Sequence, residues 1–217
     1  MSRYRVAQGE EAQTQPGSRG RVLRNRSGIR SKRLMDQTEY TALLTAQSRS
    51  LQIFTPQTRF TAHLLCQMHK RWLGGIYSWA GRYRTVELEK GGFQRPPAHL
   101  VAANMSEFES RLLARHTPCS PGPVSQVAVR IAEVHADLLL IHPFRDGNGR
   151  LARWLADVMA LQAGLPTPAY GFAGRGARKM QLQYLNAVVR GYRQDYELLA
   201  VFFAEAIERR LRDRPAT

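Results

Sequence analysis

The sequence predicts an all-α domain carrying one small β-hairpin, and three observations lead there. Apolar residues recur at three- and four-residue spacing along several segments, the mark of helices that bury one face. In the clearest, Val124, Val127, Ile131, Val134, Leu138 and Ile141 make an unbroken stripe. Turn formers punctuate these segments at Gly74-Gly75, Thr117–Pro123, Pro143, Gly164-Leu165-Pro166 and Gly171–Gly176. One stretch alone, about residues 84–95, joins extended alternation to a Gly-Gly turn, and it reads as a hairpin.

Taken in order, residues 1–20 are rich in Gln, Gly, Ser, Glu and Arg without apolar periodicity, which predicts a disordered basic and polar arm. The folded domain is expected over 21–212. A short helix is predicted from an Asp36 N-cap through Leu43 and Leu44 towards Ser50. Thr55-Pro56 reads as the start of the next, with Thr capping and Pro in the first helical position. Phe60, Leu64, Leu65, Met68 and Trp72 continue it to Gly74-Gly75. His63 and His69 ride on this helix and read as packed or exposed histidines. After the hairpin, Pro96-Pro97 forbids further strand and opens a helix with Val101, Met105, Phe108 and Leu112 on one face. The Val124–Ile141 helix ends because Pro143 disfavours helix at His142. Leu151, Leu155, Val158 and Met159 resume the pattern, and two further helices are predicted over 177–190 and 195–212. Six or seven helices result, with no internal repeat.

Composition narrows the function. The chain of 217 residues is 43% apolar, enough for a real core. Cys66 and Cys119, its two cysteines, stand outside any metal-type spacing, which fits a reducing compartment and excludes a disulfide scaffold. No apolar run reaches membrane-span length, and no apolar run follows the basic start, so a cytoplasmic protein is expected. The net charge of +15 invites a nucleic-acid reading. However, residues 1–34 hold nine Lys/Arg against Glu10 and Glu11, so about half of the excess lies in this N-terminal stretch. A solvated or partner-docking arm is the preferred reading, and nucleic acid the less favoured one.

The chemistry concentrates in one stretch, residues 142–153. Gly147-Asn148-Gly149 lies between two helices, so its N–H groups open the second, and a helix N-terminus with free donors is an anion site. Arg150 and Arg153 offer planar forks of donors to phosphate oxygens. Asp146 supplies a hard oxygen, which suffices for Mg²⁺ when phosphates and waters complete the shell. His142, with a side chain that titrates near neutrality, suits proton removal from a hydroxyl. A helix–loop–helix corner needing no ligand uses the same turn chemistry, so these residues alone leave both readings open. No GxxxxGK[ST] loop is present.

His142-Pro143-Phe144-Arg145-Asp146-Gly147-Asn148-Gly149-Arg150 resembles the Fic family signature, HPFx[DE]GN[GK]R, at every specified position. Ile76–Gly81, Arg84-Thr85 and Lys90-Gly91-Gly92 resemble the family's approach to its flap, and Leu23-Arg24-Asn25 with Gly28-Ile29 its entry segment. The likeness spans roughly 22–203. It implies a Fic-fold helical bundle that transfers AMP from ATP to a Ser, Thr or Tyr hydroxyl of a target protein. By position, His142 is then the base and Asp146 the Mg²⁺ ligand. Gly147, Asn148 and Gly149 line the anion hole, Arg150 meets the phosphates and Arg153 orients the γ-phosphate. A flap bearing Glu87, Leu88, Lys90, Gly91, Gly92 and Phe93 docks target backbone by strand addition. Tyr184 is either an adenine neighbour or a core tyrosine.

One departure from the family matters. Many members carry, or receive from a partner, an inhibitory [ST]xxxE[GN] helix whose Glu pairs with the second arginine. Thr85–Glu89 is the only Ser/Thr–Glu pair here at that spacing, but it lies in the flap and Lys90 follows it. A separate antitoxin supplying a glutamate to Arg153 is therefore the expected partner. Within the fold, a Doc-like phosphotransferase or transfer of another phosphate-bearing group is the alternative, and a non-catalytic basic nucleic-acid module lies outside it. Gly147 and Gly149 favour AMP over the Doc type, whose loop carries Ala and Lys there.

Overall fold

The structure is a computed structural model, and it describes residues 9–90 and 93–213. Among them are seven helices of eight residues or more: α1 (Lys32–Ser50), α2 (Ala62–Leu73), α3 (Val101–Phe108), α4 (Val124–Ile141), α5 (Asn148–Gln162), α6 (Ala177–Gly191) and α7 (Glu197–Arg212). A two-stranded antiparallel hairpin, β1 (Glu89–Lys90) and β2 (Phe93–Gln94), pairs Glu89 with Gln94 and Lys90 with Phe93. The all-α prediction with one small hairpin holds.

The chain forms two compact units. The first contains the residues up to Phe54, Thr61–Glu107 and Ile141–Leu151; the second contains Thr55–Phe60, Phe108–Leu140 and the residues from Ala152 onward. In the first, Leu65, Met68, Leu73, Val101, Met105 and Phe144 are buried. In the second, Val127, Ile131, Leu138 and Leu155 are buried with Phe203 and Ile207. The stripe read along residues 124–141 is thus core, as its spacing requires.

Three local expectations are corrected. α1 begins earlier than Asp36, because Ser31 is the cap: its hydroxyl accepts the Leu34 N–H at 3.3 Å. α2 does not start at Thr55-Pro56. Thr55 is spent in a local turn, where its N–H donates to the Thr58 hydroxyl at 2.8 Å. The buried Phe60 N–H donates across the second unit to the Thr117 hydroxyl at 3.0 Å, and Thr61 caps α2 at the Leu64 N–H. A tertiary bond has taken Phe60 out of the helix that its spacing predicted.

The third correction concerns the arm. Over 9–20 the chain is structured: Glu10–Ala12 make a 3-10 turn and Thr14 bridges Leu23. Glu11 is buried, and its Oε1 accepts both the N–H and the hydroxyl of Thr85, at 2.6 and 2.5 Å. Ala12 packs with Val86 and Leu88. The segment is polar because its side chains satisfy backbone at the hairpin's base, a role that periodicity does not register. Residues 1–8 lie outside the described residues. Deleting residues 1–20 is expected to lower Tm by roughly 5 °C, the size of losing a few buried hydrogen bonds. Differential scanning calorimetry measures this, and an unchanged Tm would restore the disordered-arm reading.

Candidate active site

α4 stops at Ile141, because Pro143 disfavours helix at His142, and His142 takes φ +52, a left-handed conformation uncommon outside glycine. Phe144 then turns inward and is fully buried. Its ring stacks on that of His69, with centroids 4.0 Å apart and planes inclined by 8°. Asn148 closes the loop on itself: its Oδ1 accepts the Phe144 N–H at 2.9 Å and its Nδ2 donates to the Phe144 carbonyl at 2.7 Å. The Asn148 side chain is committed to the backbone of the loop. What it leaves facing outward is the start of α5.

Gly147 precedes α5 at φ +84, where a Cβ would meet the Trp72 ring at 2.9 Å. Both the conformation and the contact require glycine. The Gly147 carbonyl accepts the N–H groups of Arg150 and Leu151 at 3.1 and 2.9 Å. The N–H groups of Asn148 and Gly149 belong to the first turn, which has no intrahelical carbonyl to meet. Asp146 is half exposed at its carboxylate, and its Oδ1 accepts the Gly147 N–H at 2.5 Å.

His69 holds this loop from below. Its Nδ1 accepts the Gly81 N–H at 2.9 Å, so Nε2 carries the proton and donates to the Asp146 carbonyl at 3.0 Å. Burial drives its pKa down to about 4, partly offset by the Asp146 carbonyl, so the ring is neutral at pH 7. The sequence left His69 either packed or exposed; it is buried, and this bond was not legible.

Arg84 holds the loop from the side. The guanidinium is 1% exposed and donates to the carbonyls of His142 (2.8 Å), Val86 (2.9 Å) and Pro96 (2.6 Å). Its backbone N–H donates to the Pro143 carbonyl at 2.8 Å. Arg145 donates through Nε to the Glu11 carbonyl at 2.7 Å. Arg150 spreads over the Trp72 ring, 4.7 Å from its centroid, and donates to Glu39 Oε2 at 2.6 Å.

Of the expected flap residues, Glu87 accepts the Ala98 N–H at 3.0 Å, and Phe93 lies under the Arg95 guanidinium at 5.0 Å. The Leu88 side chain is buried beside Ala12 and Val86, and it anchors the flap. Lys90 keeps its backbone place in β1, while Gly91 and Gly92 lie outside the described residues.

Arg153 lies in the second unit, one turn along α5 from Arg150. Its guanidinium sits 5.5 Å from the Phe172 ring centroid and 6.0 Å from that of Tyr184. Tyr184 is buried and its hydroxyl lies 2.7 Å from His135 Nε2, whose ring makes its other bond to the Ala152 carbonyl. That is the core alternative for Tyr184. Burial, then the Arg153 charge, drives the His135 pKa down to about 3. Four residues after Arg153, Asp157 is pushed up to about 7 by burial, against the Tyr170 hydroxyl at 2.8 Å and the nearby Arg153 charge.

Sequence reasoning missed Glu39, Tyr77 and Glu11. Glu39 had a signal: Met35, Glu39, Leu43, Ala46 and Ser50 share the buried face of α1, and a carboxylate in such a stripe needs a partner. Glu11 had none.

A left-handed His-Pro-Phe corner feeding a glycine-opened helix, inside a helical bundle with a small hairpin, is the architecture of the Fic fold. The comparisons agree. Residues 59–160 match the Fic/DOC family, and the chain carries a domain of that family. It is 31% identical over 146 residues to a protein adenylyltransferase Fic of Nematostella vectensis, an alignment covering 67% of this chain and 32% of that protein. The chain thus spans about a third of the length of the curated relatives it matches. The N-terminal Fic domain of a VirB-translocated effector from Bartonella sp. AR 15-3 superposes with a TM-score of 0.73 at 18% identity, covering 93% of each chain. BepC of Bartonella tribocorum, solved with bound AMPPNP, superposes at 0.69 with 19% identity, covering 85% of this chain and 91% of that one.

Neutral His69 makes stability depend on pH with a definite sign. Its folded pKa lies below the ordinary 6.5, so the unfolded chain binds the extra proton as pH falls from 6.5 towards 4. His135 acts in the same direction and Asp157 in the opposite one, which makes a variant comparison the clean measurement. The stability of the wild type relative to His69→Gln is expected to shrink by about 3 kcal/mol between pH 6.5 and 4 in urea titrations. A pH-independent difference would refute a neutral, buried His69.

Proposed function

We propose that this chain is a protein adenylyltransferase that moves AMP from ATP to a Ser, Thr or Tyr hydroxyl of a target protein. The observation that carries the reading is the loop itself, in which His142, Asp146 and Arg150 surround a glycine-opened helix N-terminus. The adenylyltransferase name of the curated relatives and the AMPPNP-bound structural neighbour support it.

In this reading the N–H groups that open α5 receive phosphate oxygens, and Arg150 adds a planar fork beside them. Arg153, one turn further along, orients the terminal phosphate. His142, at its left-handed corner, takes the proton from the target hydroxyl as the oxygen attacks the α-phosphorus. Pyrophosphate leaves as AMP is transferred. Catalysis is then positioning and charge neutralisation by groups already in place. The donor set fits Mg²⁺: Asp146 is one half-exposed carboxylate, and no group of three or more His, Cys, Asp or Glu occurs among the described residues that could hold a metal without substrate. Bound through Asp146, the ion would neutralise phosphate charge.

The flap hairpin is the element we assign to target docking, through the backbone of β1 and β2. No helix among the described residues is long and apolar enough to cross a membrane, and cytoplasmic action is part of the proposal. The missing [ST]xxxE[GN] motif supports control by a separate antitoxin glutamate that reaches Arg153. Growth arrest on expression, relieved by a small co-encoded protein, would support that control, and indifference to such a protein would count against it.

The deciding experiment supplies ATP labelled at the α- or the γ-position to the protein and a lysate. Label is expected on protein from the α-position alone, falling at least a hundredfold in His142→Ala. Transfer from the γ-position alone would replace this reading with a Doc-like phosphotransferase. Gly147 and Gly149 favour the α-position outcome, since the Doc-type loop carries Ala and Lys in their places.

A further inference from the structure

We infer that Glu39, far from the loop in sequence, is a positioning residue for nucleotide binding, acting through Arg150. The inference deepens the reading above and rests on Arg150 meeting phosphate.

A guanidinium in the first turn of a helix is opposed by the helix dipole, so nothing in α5 itself would hold Arg150 over the N-terminus. Glu39 does. It sits on the buried face of α1, and both carboxylate oxygens accept: Oε2 from Arg150 Nη1 at 2.6 Å, Oε1 from the Tyr77 hydroxyl at 2.5 Å. Its backbone is tied down as well, since the Glu39 carbonyl accepts the Trp72 indole N–H at 2.9 Å. The same Trp72 ring is the platform beneath the Arg150 guanidinium and the surface against which Gly147 is pressed. One edge of Arg150 is therefore fastened to a carboxylate and one face to an indole.

The other edge is part-exposed and faces the Asp146 carboxylate. The Arg150 side chain is 28% exposed, and Nη2 lies 3.7 Å from Asp146 Oδ1. A guanidinium clamped on one side keeps its remaining donors aimed at an incoming anion, and the ordering of a long side chain is settled before the ligand arrives. The carboxylate lowers the local positive charge, which taken alone would weaken phosphate binding. Orientation is expected to outweigh that loss, because a rigid fork forms hydrogen bonds that a mobile one forms less often.

The test is MgATP affinity by isothermal titration calorimetry on the full chain. Glu39→Gln keeps the shape but not the charge, and is expected to weaken binding roughly tenfold. Tyr77→Phe keeps the charge and releases half of the clamp, so a loss of roughly threefold is expected; it also serves if Glu39→Gln fails to fold. In an Arg150→Ala background, Glu39→Gln is expected to cost nothing further. A merely structural glutamate would cost the same affinity on both backgrounds, which would overturn the inference. Unchanged or tighter binding by Glu39→Gln and Tyr77→Phe would also overturn it, tighter binding marking Glu39 as a brake. Wild type that binds MgATP but transfers no AMP would defeat the transferase reading and leave the Glu39 comparison standing. Wild type that binds no MgATP would defeat both.

Discussion

The first unit depends on the buried guanidinium of Arg84. Its N–H groups converge on the carbonyls of His142, Val86 and Pro96, and its own N–H reaches Pro143. A buried cation surrounded by carbonyl dipoles tolerates loss of partners poorly, because leaving a buried hydrogen-bonding group unsatisfied costs about 1–3 kcal/mol, and more when the group is charged. Those carbonyls belong to the two ends of the hairpin segment and to the corner that presents His142. One side chain thereby fixes the distance between the flap and the candidate base. The hairpin is too short to be stable alone. It is held at its root by Arg84, and again where Glu11 satisfies Thr85.

Under the loop the constraint is steric. Phe144 on His69 and Gly147 on Trp72 leave no room for a side chain at Gly147 or for a polar face on Phe144. The apolar floor also decides the electrostatics. It keeps His69 neutral, so this imidazole orients the Asp146 carbonyl without adding positive charge below the start of α5. In the second unit the same physics acts on Arg153, which lies among Phe172, Tyr184 and the buried Asp157. The two arginines of the motif have different supports: a buried carboxylate and an indole for Arg150, aromatic rings for Arg153.

Much of this was legible in the chain. The α4 limits follow from the stripe and from Pro143. The site's inventory was visible because its residues are neighbours in sequence, where spacing conveys geometry directly. Long-range satisfaction was not visible. Phe60 leaves its predicted helix for a bond to Thr117, 57 residues away. Glu11 looks like one more polar residue of an arm until Thr85, 74 residues on, is beside it. Leu88 looks like any other flap residue until Ala12 is found packed with it.

The sequence by itself determined the helical class, the hairpin, and the set of groups in the His142–Arg153 stretch, since periodicity and turn chemistry act over a few residues. Only the tertiary structure decided how those groups are aimed. Arg150 points as it does because Glu39, 111 residues earlier, gives up both oxygens to hold it and Tyr77. His142 stands where Arg84 grips its carbonyl. The physical reason is desolvation: a buried charge must find a partner wherever the fold supplies one, and separation along the chain has no part in that requirement.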